Sequence, residues 1–328
     1  MLDNNPISTK QLEIFYGVNG KVLQQQYKHK LSEYSEWEQR SRAEFFVFEP
    51  NNISPRISLD ETALSNGELY TILTNKEAKG KKGSLIAMVK GTKAETVIDI
   101  FKKIPKDKRD LVKSITVDMA PSMNLIAKTC FPKASITIDR FHVQKLAFEA
   151  VQEIRIKYRW EEIEKENMRY LEAKKQERTF TPIYFETGDS PKQLLARSRY
   201  LLFKSPHKWT DSQKSRAKIL FKEYPDIEKA YYLSNSLSSI YNQKITKGVA
   251  LTKLAHWFKD LEESGFKSFA TIRRTFEHNY NSIINYFDQR ETNAFAESFN
   301  AKIKDFRRNY RGVRDTSFFL FRLVKIFA

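Results

Sequence analysis

The chain has 328 residues, of which 41% are hydrophobic and 30% charged, with ten Gly and ten Pro. Those proportions exclude a disordered polymer and suit one large domain with an insertion, or two to three units. Lys and Arg outnumber Asp and Glu by 57 to 40, a formal net charge of +17 that favours polyanionic partners and salt-dependent binding.

The one cysteine, Cys130, excludes an internal disulfide and a Cys-based zinc site. No apolar run reaches the roughly 18–20 residues that span a bilayer. The start, Met-Leu-Asp-Asn-Asn-Pro, lacks the basic and apolar regions of a signal peptide. The expectation is a cytoplasmic, nucleoid-associated protein with no membrane partner.

Residues 6 to 40 read as two helices. Ser8 and Gln11 have capping-box spacing, Gly17 and Gly20 break the run, and Lys21–Leu31 restarts it. A helix-turn-helix and a plain helical hairpin both fit this pattern. Pro50 and Pro55 then mark a linker.

The period changes to two over residues 56–90. Arg56–Leu64 and Glu68–Thr74 are strand-like and flank Ser65-Asn66-Gly67, a hairpin signal. Glu77–Gly83 forms a second turn and Ser84–Val89 a third strand, giving a three-stranded antiparallel meander. An amphipathic helix over Lys93–Lys103 follows and stops at Pro105. Strand Ser114–Val117, helix Pro121–Cys130 and strand Ser135–Ile138 complete a parallel pair joined by a helical crossover. If the fourth strand lies beside the first, Asp60 and Asp118 become neighbours.

No strand is expected between Arg140 and Arg290. Arg140–Glu177 reads as one long helix or a bent pair, and Thr179–Pro191 as a loop. Leu194–Tyr241 and Ile245–Phe287 hold several helices carrying Trp209 and Trp257. The expected organisation is an N-terminal helical region (1–52), a first core segment (53–148), a basic α-helical insertion (149–286) and a final core segment (287–328). The apolar tail from Phe318 is cut by Arg322 and Lys325 and reads as a core helix.

Three carboxylates stand out: Asp60 and Asp118 at the ends of strand-like runs, and Glu297 on a late helix. Acidic groups gathered in a basic chain make sense when divalent ions neutralise them beside a phosphate backbone. Mg²⁺ takes oxygen ligands, and two ions about 4 Å apart clamp an in-line phosphoryl displacement. Alone, each Asp could simply end a strand and start a turn. On the late helix, Phe295, Phe299, Ile303, Phe306 and Tyr310 share one face. Glu297, Asn300, Lys304, Arg307, Arg308 and Arg311 share the other, where a carboxylate would sit among phosphate-binding groups. A solvated face on which Glu297 pairs with Lys or Arg is the plainer alternative. Asp139 has an N-cap position, His142 is an auxiliary candidate, and Glu61 is a weaker ligand facing away from Asp60. Trp160 and other aromatics of the insertion could stack bases, although core packing accounts for most of them.

In combination, Val117-Asp118-Met119, Phe131-Pro132-Lys133-Ala134, Asp139-Arg140-Phe141-His142-Val143 and the pattern Asn293…Glu297…Asn300…Ile303-Lys304…Arg308…Gly312-Val313-Arg314 resemble the ISL-three family of DDE transposases. The resemblance covers roughly residues 56–328. It implies an α/β, RNase H-like mixed sheet (three antiparallel strands, then two parallel) flanked by helices and interrupted by an all-α insertion. It also implies that Asp60, Asp118 and Glu297 hold two Mg²⁺ or Mn²⁺ ions. The implied activity is cleavage at insertion-sequence ends and joining of the 3′-hydroxyl to target DNA, by a homodimer or larger assembly. Many members begin with a cysteine-rich zinc module that Cys130 alone cannot supply. End recognition is therefore expected of the helices before residue 50 or of a separate polypeptide. A nuclease without strand transfer and a non-catalytic DNA-binding protein, left by decay of a transposase, are the rival readings.

Overall fold

The computed structural model describes residues 1–64, 67–309 and 315–328. The Ser65-Asn66 turn, Tyr310, Arg311 and the Gly312-Val313-Arg314 pattern lie outside the described residues. The chain forms two compact units, one of Met1–Asp139 with Gln289–Ala328 and one of Arg140–Asp288.

The first unit opens with α1 (Thr9–Tyr16) and α2 (Gly20–Gln26). The expected capping box is present: the Gln11 amide donates to Ser8 Oγ at 3.3 Å, and the Ser8 amide donates to Gln11 Oε1 at 2.8 Å. Gly17 ends α1 at φ +65°, a left-handed conformation that glycine adopts without strain.

β1 (Phe46–Phe48) follows, then β2 (Arg56–Ala63), β3 (Leu69–Asn75) and β4 (Leu85–Lys90). α3 (Ala94–Phe101), α4 (Lys106–Asp110), β5 (Ser114–Val117), α5 (Pro121–Cys130) and β6 (Ser135–Ile138) complete the first segment. The six strands form one mixed sheet in the order β1-β4-β3-β2-β5-β6. The meander is antiparallel, and β5 joins β2 in parallel, as the sequence pattern anticipates. β1, antiparallel to β4 at the edge, was not anticipated. Three residues are too few for a period-2 pattern to show.

One sheet face is apolar through Ile57, Leu59, Ile115 and Val117, and α3 and α5 cover this side with Val97, Phe101, Met123 and Ile126. The other face divides. Over β3 and β4 it is apolar (Tyr70, Ile72, Leu85, Met88), while over β2, β5 and β6 it carries buried Ser58, Ser114, Thr116 and Thr137.

The second unit is all-helical among its described residues. It begins with α6 (Arg140–Lys175), one continuous helix that runs unbroken through residue 149. α7 (Pro191–Arg197), α8 (Asp211–Glu223), α9 (Pro225–Asn242), α10 (Lys247–Ser264) and α11 (Ala270–Ile284) follow, and α12 (Tyr286–Gln289) ends at the boundary. Trp257 is buried and donates to the Leu233 carbonyl at 2.8 Å, so it serves the core, whereas Trp160 is exposed.

The chain returns to the first unit with α13 (Ala294–Asn309) and α14 (Thr316–Phe327). Phe299, Ile303 and Phe306 of α13 pack with Phe319, Leu320 and Leu323 of α14 onto the apolar half of the face. The tail is thus a core helix, and no helix among the described residues is long and apolar enough to cross a membrane. Leu2, Tyr27 and Tyr34 pack on Phe318 and Phe321, attaching the N-terminal helices to the same unit.

The faces of α13 differ from the sequence reading. Asn300 (5% exposed) and Arg307 (4%) are buried with the apolar residues, and Phe295 is 46% exposed. The physical reason is that α13 is covered from two directions, by the sheet and by α14, so its buried arc is wider than one stripe.

Candidate active site

Strand register builds the site. Ser58 pairs with Thr116, so Asp60 and Asp118, each two residues further on, occupy matching positions on adjacent parallel segments. Val117 pairs with Ile138, so Asp139 takes the next place in the same row. Asp60 is not at the end of its strand, because the antiparallel ladder with β3 carries β2 on to Ala63. It stands instead just past the part of β2 that pairs with β5.

Each Asp of the row accepts at least one hydrogen bond. The Ala120 amide donates to Asp118 Oδ1 at 2.8 Å in an Asx-type turn. The Glu61 amide donates to Asp60 Oδ1 at 2.8 Å, and the Asn300 side-chain amide to Asp60 Oδ2 at 2.7 Å. Asp139 is buried, and the Asn293 amide donates to its Oδ2 at 3.2 Å. Glu297 is exposed in the first turn of α13 and brings a carboxylate oxygen within 4.8 Å of one from Asp139. Asp60, Asp118 and Glu297 do not close to that spacing as a trio. The late carboxylate therefore joins the row at its Asp139 end.

Glu61 is closer to the site than its strand position suggests. Burial first, then the charges of Asp118 and Asp60, push its carboxyl above the usual glutamate range. His142 is the third residue of α6, in the second unit, with its ring edge-on to Phe141.

Below the row lies a buried polar layer that was not anticipated. Lys76 donates to Glu291 Oε2 at 2.9 Å and to Thr116 Oγ1 at 2.7 Å. Ser114 donates to Glu291 Oε1 at 2.7 Å, and Ser58 donates to Asn293 Oδ1. Burial raises the Glu291 carboxyl, but the bonds from Lys76, Ser114 and Thr116 outweigh it and hold the group below its ordinary value. A signal for this layer does exist in the sequence. Ser58-x-Asp60, Ser114-x-Thr116-x-Asp118 and Ser135-x-Thr137-x-Asp139 alternate with Ile, Leu and Val, so each run ends in Asp on its polar side.

The cations expected on the late helix separate in space. Arg307 is buried in an ion pair with Glu68 at 3.3 Å and lies over the Phe319 ring. Lys304 and Arg308 are exposed, Arg308 pairing with its neighbour Asp305.

The donor set suits a divalent cation. Its atoms are hard oxygens, and Asn300 Oδ1 is buried with no hydrogen-bond partner. Carboxylates aligned on neighbouring strands are the kind of hard-oxygen donor set that divalent cations take.

Residues 57–323 match the sequence profile of a transposase family, DDE_Tnp_ISL3, and the chain belongs to that family. The chain is also 21% identical, over 268 residues, to the transposase for insertion sequence element IS1001 of Bordetella parapertussis. That match takes in 81% of this chain but 59% of the relative, so the chain spans a little over half the relative's length.

Proposed function

We propose that this chain carries the catalytic core of a DDE-type transposase on an RNase H-like sheet, cutting DNA at insertion-sequence ends and joining it to target DNA. The observation that carries the reading is the in-register row Asp60, Asp118 and Asp139, met at its end by Glu297 from the last segment of the chain.

Asp60, Asp118 and Glu297 are the residues that would hold Mg²⁺ or Mn²⁺, with Asp139 beside Glu297. Bound there, two such ions would activate the attacking oxygen and stabilise the leaving one. The protein's own part is positioning. Asn300 and the Glu61 amide hold the Asp60 carboxylate, and the Ala120 amide holds that of Asp118. Lys304 and Arg308 would contact phosphates, and their exposure on α13 supports that role. Two steps use one geometry: water displaces a 3′-oxygen at the element end, and the freed 3′-hydroxyl then displaces a 3′-oxygen in the target. One P–O bond breaks and one forms each time, so the steps need no covalent enzyme intermediate. DNA and a second copy of the chain are the proposed partners.

The test is cleavage of an end-containing duplex with Mn²⁺, followed by incubation of pre-cut 3′-hydroxyl ends with supercoiled plasmid. Asp118→Asn should abolish cleavage while leaving duplex affinity within about twofold. Cleavage that persists in excess chelator would overturn the reading. Cleavage without joined products would reduce it to a nuclease.

A further inference from the structure

We propose that Lys76 and Glu291 form a buried ionic clamp whose role is to position Glu297 beside Asp139, rather than to stabilise the fold. The activity consequence rests on the transposase reading above, while the geometric consequence does not.

The side chains of Lys76 and Glu291 are 10% and 6% exposed. An ion pair this buried is a weak source of stability, because desolvating two charges offsets most of their attraction. Burial lowers the Lys76 ammonium, and the bond to Glu291 opposes that shift. What the pair supplies is location. Glu291 is reached from three sides, by Lys76 just beyond β3 and by Ser114 and Thr116 on β5. Its carboxylate is therefore fixed against two strands at the point where the chain re-enters this unit.

A short path runs from that anchor to Glu297, first along two residues of chain and then through hydrogen bonds. Asn293 accepts from Ser58 and donates its amide to Asp139. The Glu297 amide then donates to the Asn293 carbonyl at 2.9 Å, opening α13. Every residue named on this path is tied to β2, β5, β6 or the next turn. A displacement at Glu291 is thus carried to the first turn of α13, and misplacement by about 1 Å can cost a hundredfold in rate. Lys76 is too enclosed to contact DNA and is not a catalytic residue. It acts through Glu291.

The decisive variant is Lys76→Met with Glu291→Met, which removes both charges at similar volume. The urea midpoint should stay near that of the parent. Amide hydrogen exchange over residues 291–300 should accelerate at least tenfold, and Mn²⁺ affinity should fall at least tenfold while duplex affinity holds. Glu291→Asp keeps the charge but shortens the reach, and should give the same pattern more weakly, so the proposal remains testable if the double variant fails to fold. Unchanged exchange in a folded variant would overturn the clamp. Accelerated exchange in a protein whose parent binds no Mn²⁺ would leave the clamp standing and overturn the transposase reading instead.

Discussion

The side-chain amide of Asn300 donates a 2.7 Å hydrogen bond to Asp60, joining a helix of the last segment to a strand of the first. Asn300 is buried, and its other amide atom, Oδ1, has no hydrogen-bond partner. Removing a group that orients a metal ligand commonly costs about 10–100-fold in affinity or activity. Asn300→Ala should therefore weaken Mn²⁺ binding by about that factor, read by titration, with little change in duplex affinity. An unaltered Mn²⁺ isotherm would show that Asp60 needs no such support.

The cations of α13 should divide by burial. Lys304→Ala and Arg308→Ala remove exposed charges, so each should weaken DNA binding at all sequences and lower the salt slope by about one unit. Arg307→Ala instead leaves Glu68 without its ion-pair partner and should cost about 3–5 kcal/mol of stability in urea unfolding. Equal effects of the three on the salt slope would contradict this division.

Glu61 sets a pH dependence of defined sign. Its carboxyl is raised by burial and by Asp118 and Asp60, so the folded state holds this proton more tightly than the unfolded chain. Stability from this group is greatest below the ordinary glutamate value and falls as pH rises through the raised one. Glu61→Gln should therefore raise the urea midpoint at pH 7 and leave it nearly unchanged at pH 4. Added Mg²⁺ should narrow the gap at pH 7 by offsetting the same charge.

In the helical unit, buried Asp189 accepts from Arg216 at 2.7 Å and from Thr187 at 3.1 Å, and pairs with Arg197. Burial raises its carboxyl, but these donors outweigh it and hold the group below the usual aspartate range. Its stabilisation is present above the ordinary aspartate value and is lost as pH falls through the lowered one. Asp189→Asn should cost about 1.5–3 kcal/mol at pH 7, seen as an earlier tryptophan-fluorescence transition in urea, and progressively less in acid.

The sequence by itself determined the strands of the meander, the parallel pair, and helices α3 and α5. In each case the apolar period is set within one element and read along it. It also marked Asp60 and Asp118, because a carboxylate beside a strand-like apolar run stands out within its own segment. Only the tertiary structure decided which partners those faces meet. Nothing local to Lys76 or Glu291 says that a buried pair will form across most of the chain. Likewise, helical periodicity alone placed Asn300 and Arg307 outward, because it does not report that α13 is enclosed by both the sheet and α14. The meeting of Glu297 with Asp139 belongs to the same class. It depends on where a returning chain is anchored, and that is settled by contacts between residues distant in sequence.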